Sequence, residues 1–178
     1  MSLFSGIFGS PNTRLMGEER DINGLARALK HKDPKVRADA LYSLTVACRA
    51  PYDTEGGGRL TKIGSPAIFP VVEALNDPDS TVRQKAIITL AELSDYDQEY
   101  WEKTGGGTDW SSGKPVFREG KTLVGHLIEL LQDSDEKVRQ QAAESLSRFT
   151  WQPGRIAEGL KSKDEFTRCS CMNALLKS

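Results

Sequence analysis

The residues most able to do chemistry in this 178-residue chain are two histidines and three cysteines. Neither His31 nor His126 has the carboxylate that a helical metal motif such as H-E-x-x-H requires. On a helix, the two-residue spacing of Cys169 and Cys171 directs their thiols about 200° apart. With Cys48 added, the cysteine spacing fits neither a disulfide framework nor a zinc site. The sequence therefore predicts no catalytic residue, no cofactor, no metal and no enzymatic activity.

A twelve-residue pattern with Asp first, Arg fifth and Leu last occurs four times. The copies begin at Asp33, Asp79, Asp135 and Asp164. Each Asp predicts a helix N-cap, and each copy has a stripe of apolar or small residues at i, i+4 and i+8, which predicts one buried helix face. The stripes are Val36/Ala40/Leu44, Val82/Ala86/Leu90, Val138/Ala142/Leu146 and Thr167/Cys171/Leu175.

An amphipathic helix precedes each copy, the first one with Ile22, Leu25 and Leu29 on its apolar side. Copied helix pairs predict an array in which each pair buries its apolar face on its neighbours. Within a copy, Asp and Arg are four positions apart, which predicts an ion pair along the helix. A ladder of charges between neighbouring copies is the alternative.

The predicted organisation is a single domain over residues 1–178. Its parts are an N-terminal cap (1–20), repeat 1 (21–48), an insertion (49–61), repeat 2 (62–93), a second insertion (94–120), repeat 3 (121–150) and repeat 4 (153–178). In the cap, a helical turn is expected to start at Ser10, with Pro11 at its first position.

Three segments carry a family resemblance: G-L-A-R-A-L-K-H-K-D-P-K-V-R-A-D-A-L at Gly24–Leu41, K-I-G-S-P-A-I-F-P-V-V-E-A-L-N-D-P-D-S-T-V-R at Lys62–Arg83, and L-I-E-L-L-Q-D-S-D-E-K-V-R-Q-Q-A-A at Leu127–Ala143. They resemble the HEAT repeat, in the short variety called the PBS-lyase HEAT-like repeat. The resemblance implies an all-α, right-handed solenoid of about four helix pairs, with the second helices on its concave face. Family members include chromophore lyases, assembly scaffolds and nucleic-acid binders, so no active site is carried over.

The two insertions, each with a glycine triplet, have no place in the family pattern. The triplets are not phosphate loops, because the G-K-[S/T] element is absent. The second insertion gathers aromatic residues of the kinds that dominate interface energetics, which is compatible with a partner-binding loop. The favoured interpretation is that Tyr100 and Trp101 extend the preceding helix and pack back on the array, making a small core under the loop. Disorder is the third alternative. The aromatic residues are Tyr96, Tyr100, Trp101, Trp110 and Phe117.

The predicted concave face has a row of residues five positions after each repeat Arg, namely Tyr42, Ile88, Glu144 and Asn173, beside Lys85 and Gln141. Their mixed character suits a protein or peptide and disfavours nucleic acid, which would call for clustered Lys and Arg. We therefore predict a non-catalytic interaction scaffold or adaptor. The alternatives are a nucleic-acid-binding HEAT protein and a lyase-type or accessory subunit acting on a chromophore. The ends of the array would also allow self-association.

Bulk composition agrees with a folded chain: 38% hydrophobic, 28% charged and a formal net charge of -1. The odd number of cysteines favours a reducing, cytoplasmic setting. No apolar run reaches the roughly 20 residues that span a bilayer, so no membrane partner is predicted.

Overall fold

The structure, a computed structural model, describes residues 10–49, 70–95, 108–109, 114–115, 123–149 and 153–177. The chain divides into two compact units, Met1–Tyr96 and Asp97–Ser178. This division falls within the predicted second insertion, 94–120. The predicted single domain, the repeat boundaries and the two insertions stay predictions.

The first unit contains helices α1 to α5. They are α1 (Thr13–Glu18), α2 (Ile22–Ala28), α3 (Pro34–Arg49), α4 (70–73, continued by a 3-10 turn at Ala74–Asn76) and α5 (Ser80–Asp95). Helix α3 packs against α1, α2 and α5.

The second unit begins, in its described part, with a short antiparallel pair in which Thr108 lies opposite Pro115. The elements are β1 (Thr108–Asp109), β2 (Lys114–Pro115), α6 (Leu123–Leu130), α7 (Glu136–Leu146), α8 (Pro153–Glu158, continued by a 3-10 turn at Gly159–Lys161) and α9 (Glu165–Leu175). Helix α7 packs against α6 and α9, and α8 packs against α6 and α9. The predicted all-α solenoid class is confirmed. The handedness and the number of repeats stay predictions.

Aspartate caps start the second helix of each pair, as predicted. The Asp33 carboxylate accepts from the Lys35 amide at 2.9 Å, and the Asp79 carboxylate accepts from the Thr81 amide at 2.9 Å. Asp135 and Asp164 cap α7 and α9 in the same way. Each cap satisfies amide groups that have no partner inside their own helix.

The start predicted for the first helix is wrong. Helix α1 begins at Thr13, and its cap is Asn12, whose side chain accepts from the Leu15 amide. Asn12 provides the side-chain acceptor for an orphan amide of the first turn, so the helix begins two residues later than Pro11.

The predicted inner stripes form the core. Val82, Ala86 and Leu90 are 0% exposed, and the equivalent residues of α3 and α7 are also buried. On α9, Thr167 and Cys171 are buried, whereas Leu175 is only half-buried.

A buried polar link joins the second helices of the first unit. The hydroxyls of Thr45 on α3 and Thr89 on α5 lie 3.0 Å apart, and both also reach the Leu41 carbonyl. Buried hydroxyls need such partners, so this link fixes the register of α3 against α5 and thereby positions the residues on their outer surface.

Among the described helices, none is long and apolar enough to cross a bilayer.

Candidate binding surface and its arginine framework

The repeat arginine fastens the turn between the two helices of its own pair. In each copy, Nη1 donates to the two backbone carbonyls that precede the capping Asp, and an ionised donor makes these bonds stronger than neutral ones. The bonds run from Arg37 to His31 (2.8 Å) and Lys32 (3.1 Å), from Arg83 to Asp77 (2.7 Å) and Pro78 (3.2 Å), from Arg139 to Asp133 (2.8 Å) and Ser134 (3.1 Å), and from Arg168 to Ser162 (3.0 Å) and Lys163 (2.7 Å).

The other edge of Arg37 binds the following repeat. Its Nε and Nη2 donate to the two carboxylate oxygens of Asp77, each at 2.7 Å, and the side chains are 13% and 9% exposed. The hydrogen bond to Asp77 and the nearby negative charges raise the pKa of Arg37. The predicted ion pair within the helix is therefore wrong for Asp33 and Arg37, because the Asp33 carboxylate is used as a cap. The alternative, a pair between copies, is what the first unit contains.

Helices α3 and α5 bring two predicted site residues together. Tyr42 is 62% exposed, and the Lys85 ammonium lies 5.5 Å from the centre of its ring. A cation at this distance over an aromatic face holds the ring by about 0.5–1 kcal/mol at an exposed site. Ile88 is half-buried and lies three positions after Lys85 on α5. We call Tyr42, Lys85 and Ile88 the second-helix surface of the first unit.

An open groove of about 470 Å³ lies between α1 and α3, and Tyr42 forms part of its wall. Gly17 brings the helices close, since a Cβ there would lie 3.0 Å from the Cβ of Ser43. Val46, 44% exposed, adds apolar surface to the groove. The lining residues are Thr13, Arg14, Gly17, Glu18, Asp39, Tyr42, Ser43 and Val46.

Of the charged residues that line the groove, Arg14 and Glu18 form an ion pair and Asp39 is not part of it. Arg14 and Glu18 pair with each other at 3.0 Å. The exposed Asp39 carboxylate has no ion-pair partner among the residues that the structure describes. The groove thus combines apolar surface with the carboxylate of Asp39, which no described cation pairs.

In the second unit, the two predicted site residues of α7 differ in exposure. Gln141 is half-buried, with its amide nitrogen 3.5 Å from the Ser145 hydroxyl. Glu144 is exposed and lines a groove of about 400 Å³ between α7 and α9, together with Phe166 and Asn173. The predicted site residues Tyr96, Tyr100, Trp101, Trp110 and Phe117 lie outside the described residues.

Two of the groups considered for chemistry, His31 and Cys171, belong to a helix turn and to the core. Nδ1 of His31 accepts from the Asp33 amide at 3.1 Å, which is a capping contact. Burial raises the pKa of the Cys171 thiol, so the reactive thiolate is disfavoured. Across the described part of the chain, no three His, Cys, Asp or Glu side chains are grouped to hold a metal ion.

The α1 wall of the groove and Val46 are not predicted from the sequence. The predicted start of α1 at Ser10 differs from the observed start at Thr13, and the helix face on which Gly17 lies depends on where the helix begins. Val46 is only two positions from the predicted stripe residue Leu44, and no stripe of its own marks it as a surface residue.

The helix pairs, their arginine-fastened turns and the stacked second helices define an α-solenoid repeat protein. Two segments, residues 68–96 and 123–150, match the family model of the HEAT repeat. The chain therefore carries HEAT repeats at these two positions. The narrower PBS-lyase HEAT-like variety stays a resemblance.

Solved structures with a similar fold are engineered repeat proteins. One engineered protein matches with a TM-score of 0.58 at 17% identity over 96% of this chain and 67% of its own, and a second with a TM-score of 0.57 at 22% identity over 94% and 69%. A computationally designed armadillo repeat protein for modular peptide recognition matches with a TM-score of 0.56 at 14% identity over 95% and 69%. At these identities the matches show the fold alone. No curated protein sequence matches the chain.

Proposed function

We propose that this protein is a non-catalytic module that binds a protein or peptide partner through the second-helix surface of its first unit. The observation that carries the proposal is Tyr42, a large aromatic residue that is 62% exposed, held by Lys85 and placed at the wall of an open groove. Tyrosine is among the residues that dominate interface energetics. A ring already held in place loses little further freedom on binding.

The groove suggests the chemistry of the ligand. Its volume of about 470 Å³ accommodates a large apolar side chain with room for the flanking backbone. Asp39 at the rim favours a Lys or Arg close to that anchor, because an unpaired surface carboxylate attracts a cation. The ligand that best fits is a peptide segment with an aromatic or aliphatic residue next to a basic one.

The fold supports a binding role as well. The designed armadillo repeat protein of similar fold was made for modular peptide recognition, and repeat arrays commonly bind partners along their extended surfaces.

Selection from a library of random twelve-residue peptides displayed on phage tests the proposal. A synthetic copy of an enriched peptide is then titrated into the folded chain and followed by fluorescence anisotropy. Tyr42→Ala is expected to weaken binding by roughly 30-fold, equivalent to about 2 kcal/mol for an interface anchor. Asp39→Asn is expected to give a smaller loss that disappears at high salt.

Glu73→Ala is the matched control. Glu73 is exposed and lines a separate groove with Leu29 and Lys30, so its removal is expected to leave the affinity unchanged. Equal binding by the Tyr42→Ala and wild-type chains would contradict the proposal. So would a loss in Glu73→Ala as large as the loss in Tyr42→Ala.

A further inference from the structure

The residue two positions before each capping Asp has a recurring task. In repeat 2 this residue is Asp77, which accepts from the Asp79 amide at 2.9 Å and also binds Arg37 of the preceding repeat through both carboxylate oxygens. In repeat 4 the position is held by Ser162, whose hydroxyl accepts from the Asp164 amide at 3.2 Å. Like Asp77, Ser162 accepts from the amide of the capping Asp. Unlike Asp77, it has no negative charge with which to bind an arginine.

The arginine that would use this position is Arg139. It precedes Ser162 by one repeat, as Arg37 precedes Asp77, and its Nη1 makes the same two carbonyl contacts. Its Nε and Nη2, the atoms that in Arg37 bind the carboxylate, have no hydrogen-bond partner among the described residues. An arginine edge with two parallel donors is suited to a carboxylate or a phosphate.

The charge of Arg139 acts on this turn. Hydrogen bonds from Thr167 are the main cause of the lowered pKa of Asp164, and the charges of Arg168 and Arg139 add to it. Helix α7, which carries Arg139, packs against α9, whose cap is Asp164, and this packing brings the charge of Arg139 near the turn around Ser162.

Ser162 lies between two lysines and is followed by two acidic residues, Asp164 and Glu165. Ser162 is half-buried in the turn between the 3-10 segment Gly159–Lys161 and α9, and the side chains of Lys161 and Lys163 on either side are exposed. A phosphorylated serine carries about -1.5 to -2 charges at pH 7 and three strong acceptor oxygens, and it is stabilised opposite basic groups.

We propose that Ser162 is a phosphorylation site whose phosphate binds the free edge of Arg139 and so completes, between repeats 3 and 4, the ion pair that Asp77 makes with Arg37. A nucleoside triphosphate is the phosphoryl donor and a protein kinase the catalyst. The Ser162 oxygen attacks the γ-phosphorus, the bond to the departing nucleoside diphosphate breaks, and the hydroxyl proton passes to a base of the kinase. One phosphate oxygen keeps the bond from the Asp164 amide while the others accept from Arg139.

The need for a negative charge at position 162 is tested first by substitution. Ser162→Asp supplies the charge, and Ser162→Asn is the matched control because it keeps an acceptor for the Asp164 amide without a charge. We expect Ser162→Asp to melt about 2–4 °C above Ser162→Asn, and this difference to vanish when Arg139 is changed to Gln. An equal difference in both backgrounds, or no difference in either, would overturn the proposal.

The phosphate itself is tested on the full chain with phosphoserine incorporated at position 162. Phosphorus NMR is expected to give a second phosphate pKa below its ordinary value of about 6, because Arg139 favours the dianion. The Arg139→Gln chain is expected to return the phosphate pKa to about 6. A phosphate pKa that is the same in both chains excludes the contact.

Access to a kinase is tested by incubating the folded chain with ATP and a serine kinase that accepts flanking lysines. Mass spectrometry is expected to find the phosphate on Ser162. If the same kinase modifies a synthetic peptide of residues 159–168 but leaves Ser162 of the folded chain unmodified, the site is closed and the proposal fails.

Discussion

Comparing Arg37→Met with Arg139→Met separates the two roles of the repeat arginine, which are to hold its own turn and to pair with the next copy. Met keeps much of the side-chain length but removes the carbonyl bonds of the turn and the ion pair with Asp77. Arg139→Met is the matched comparison, because Arg139 makes the same carbonyl contacts and has no carboxylate partner among the described residues. The difference between the two substitutions therefore measures the ion pair.

The geometry sets the size of the effect. The Arg37–Asp77 contact is bidentate at 2.7 Å, and the two side chains are 13% and 9% exposed. Removing one partner of a buried ion pair costs about 3–5 kcal/mol. Because Asp77 regains some water in the variant, we take the lower end and expect about 3 kcal/mol for Arg37→Met. For Arg139→Met we expect about 1.5 kcal/mol, the lower end of the range for hydrogen bonds that involve a charged group.

Urea unfolding followed by circular dichroism at 222 nm gives the free energies. Adding Asp77→Asn completes a double-mutant cycle, since Asn can still accept from the Asp79 amide. We expect a coupling between Arg37 and Asp77 of about 2 kcal/mol, within the range for residues in direct contact. If Arg37→Met and Arg139→Met cost the same and the coupling is close to zero, the arginine acts only on its own turn.

Three further substitutions test the packing and the caps. Ala86 is 0% exposed, so Ala86→Leu is expected to lower the free energy of unfolding by roughly 1–3 kcal/mol through overpacking, and an unchanged melt would contradict the packing of α5. A methyl group on Gly159 would overlap Sγ of Cys171; Gly159→Ala is expected to destabilise by a similar amount, about 1–3 kcal/mol, and the added Cys171→Ala to restore most of it. The lowered pKa of Asp164, caused first by the Thr167 hydroxyl, contributes stability that is present above the unfolded pKa and lost as pH falls through the folded pKa. In Thr167→Val we expect carboxyl NMR titration to show a higher Asp164 pKa, and pH-dependent melts to show a smaller loss at acid pH; an unchanged pKa would exclude the Thr167 hydroxyl as its main cause.

The helix framework could be predicted because its signals are local. A capping Asp needs only the amides of the next turn, and the stripe Val82, Ala86 and Leu90 needs only helical periodicity. The fourth copy has Cys at position 171, where the other copies have Ala, and the physical reason for this difference appears only in the three-dimensional structure. Cys171 takes the place that Ala40 and Ala86 have in the first two repeats, and Gly159 provides the space for its sulfur.

Contacts between helix pairs could not be chosen from sequence alone. Asp33 is four residues from Arg37 and Asp77 is forty, yet Arg37 binds Asp77, because the Asp33 carboxylate is already committed to its cap. The ring contact of Tyr42 with Lys85 also depends on the register of α3 against α5, which the buried threonine link fixes.

Photo-crosslinking tests the proposed binding surface most directly. A peptide enriched from the phage library, carrying a photoreactive group at its apolar anchor, is bound to the folded chain and irradiated, and the tryptic fragments are identified by mass spectrometry. We expect attachment to the fragment of residues 38–49, which contains Tyr42 and Val46. Attachment confined to the fragment of residues 63–83, which contains Glu73, would contradict it.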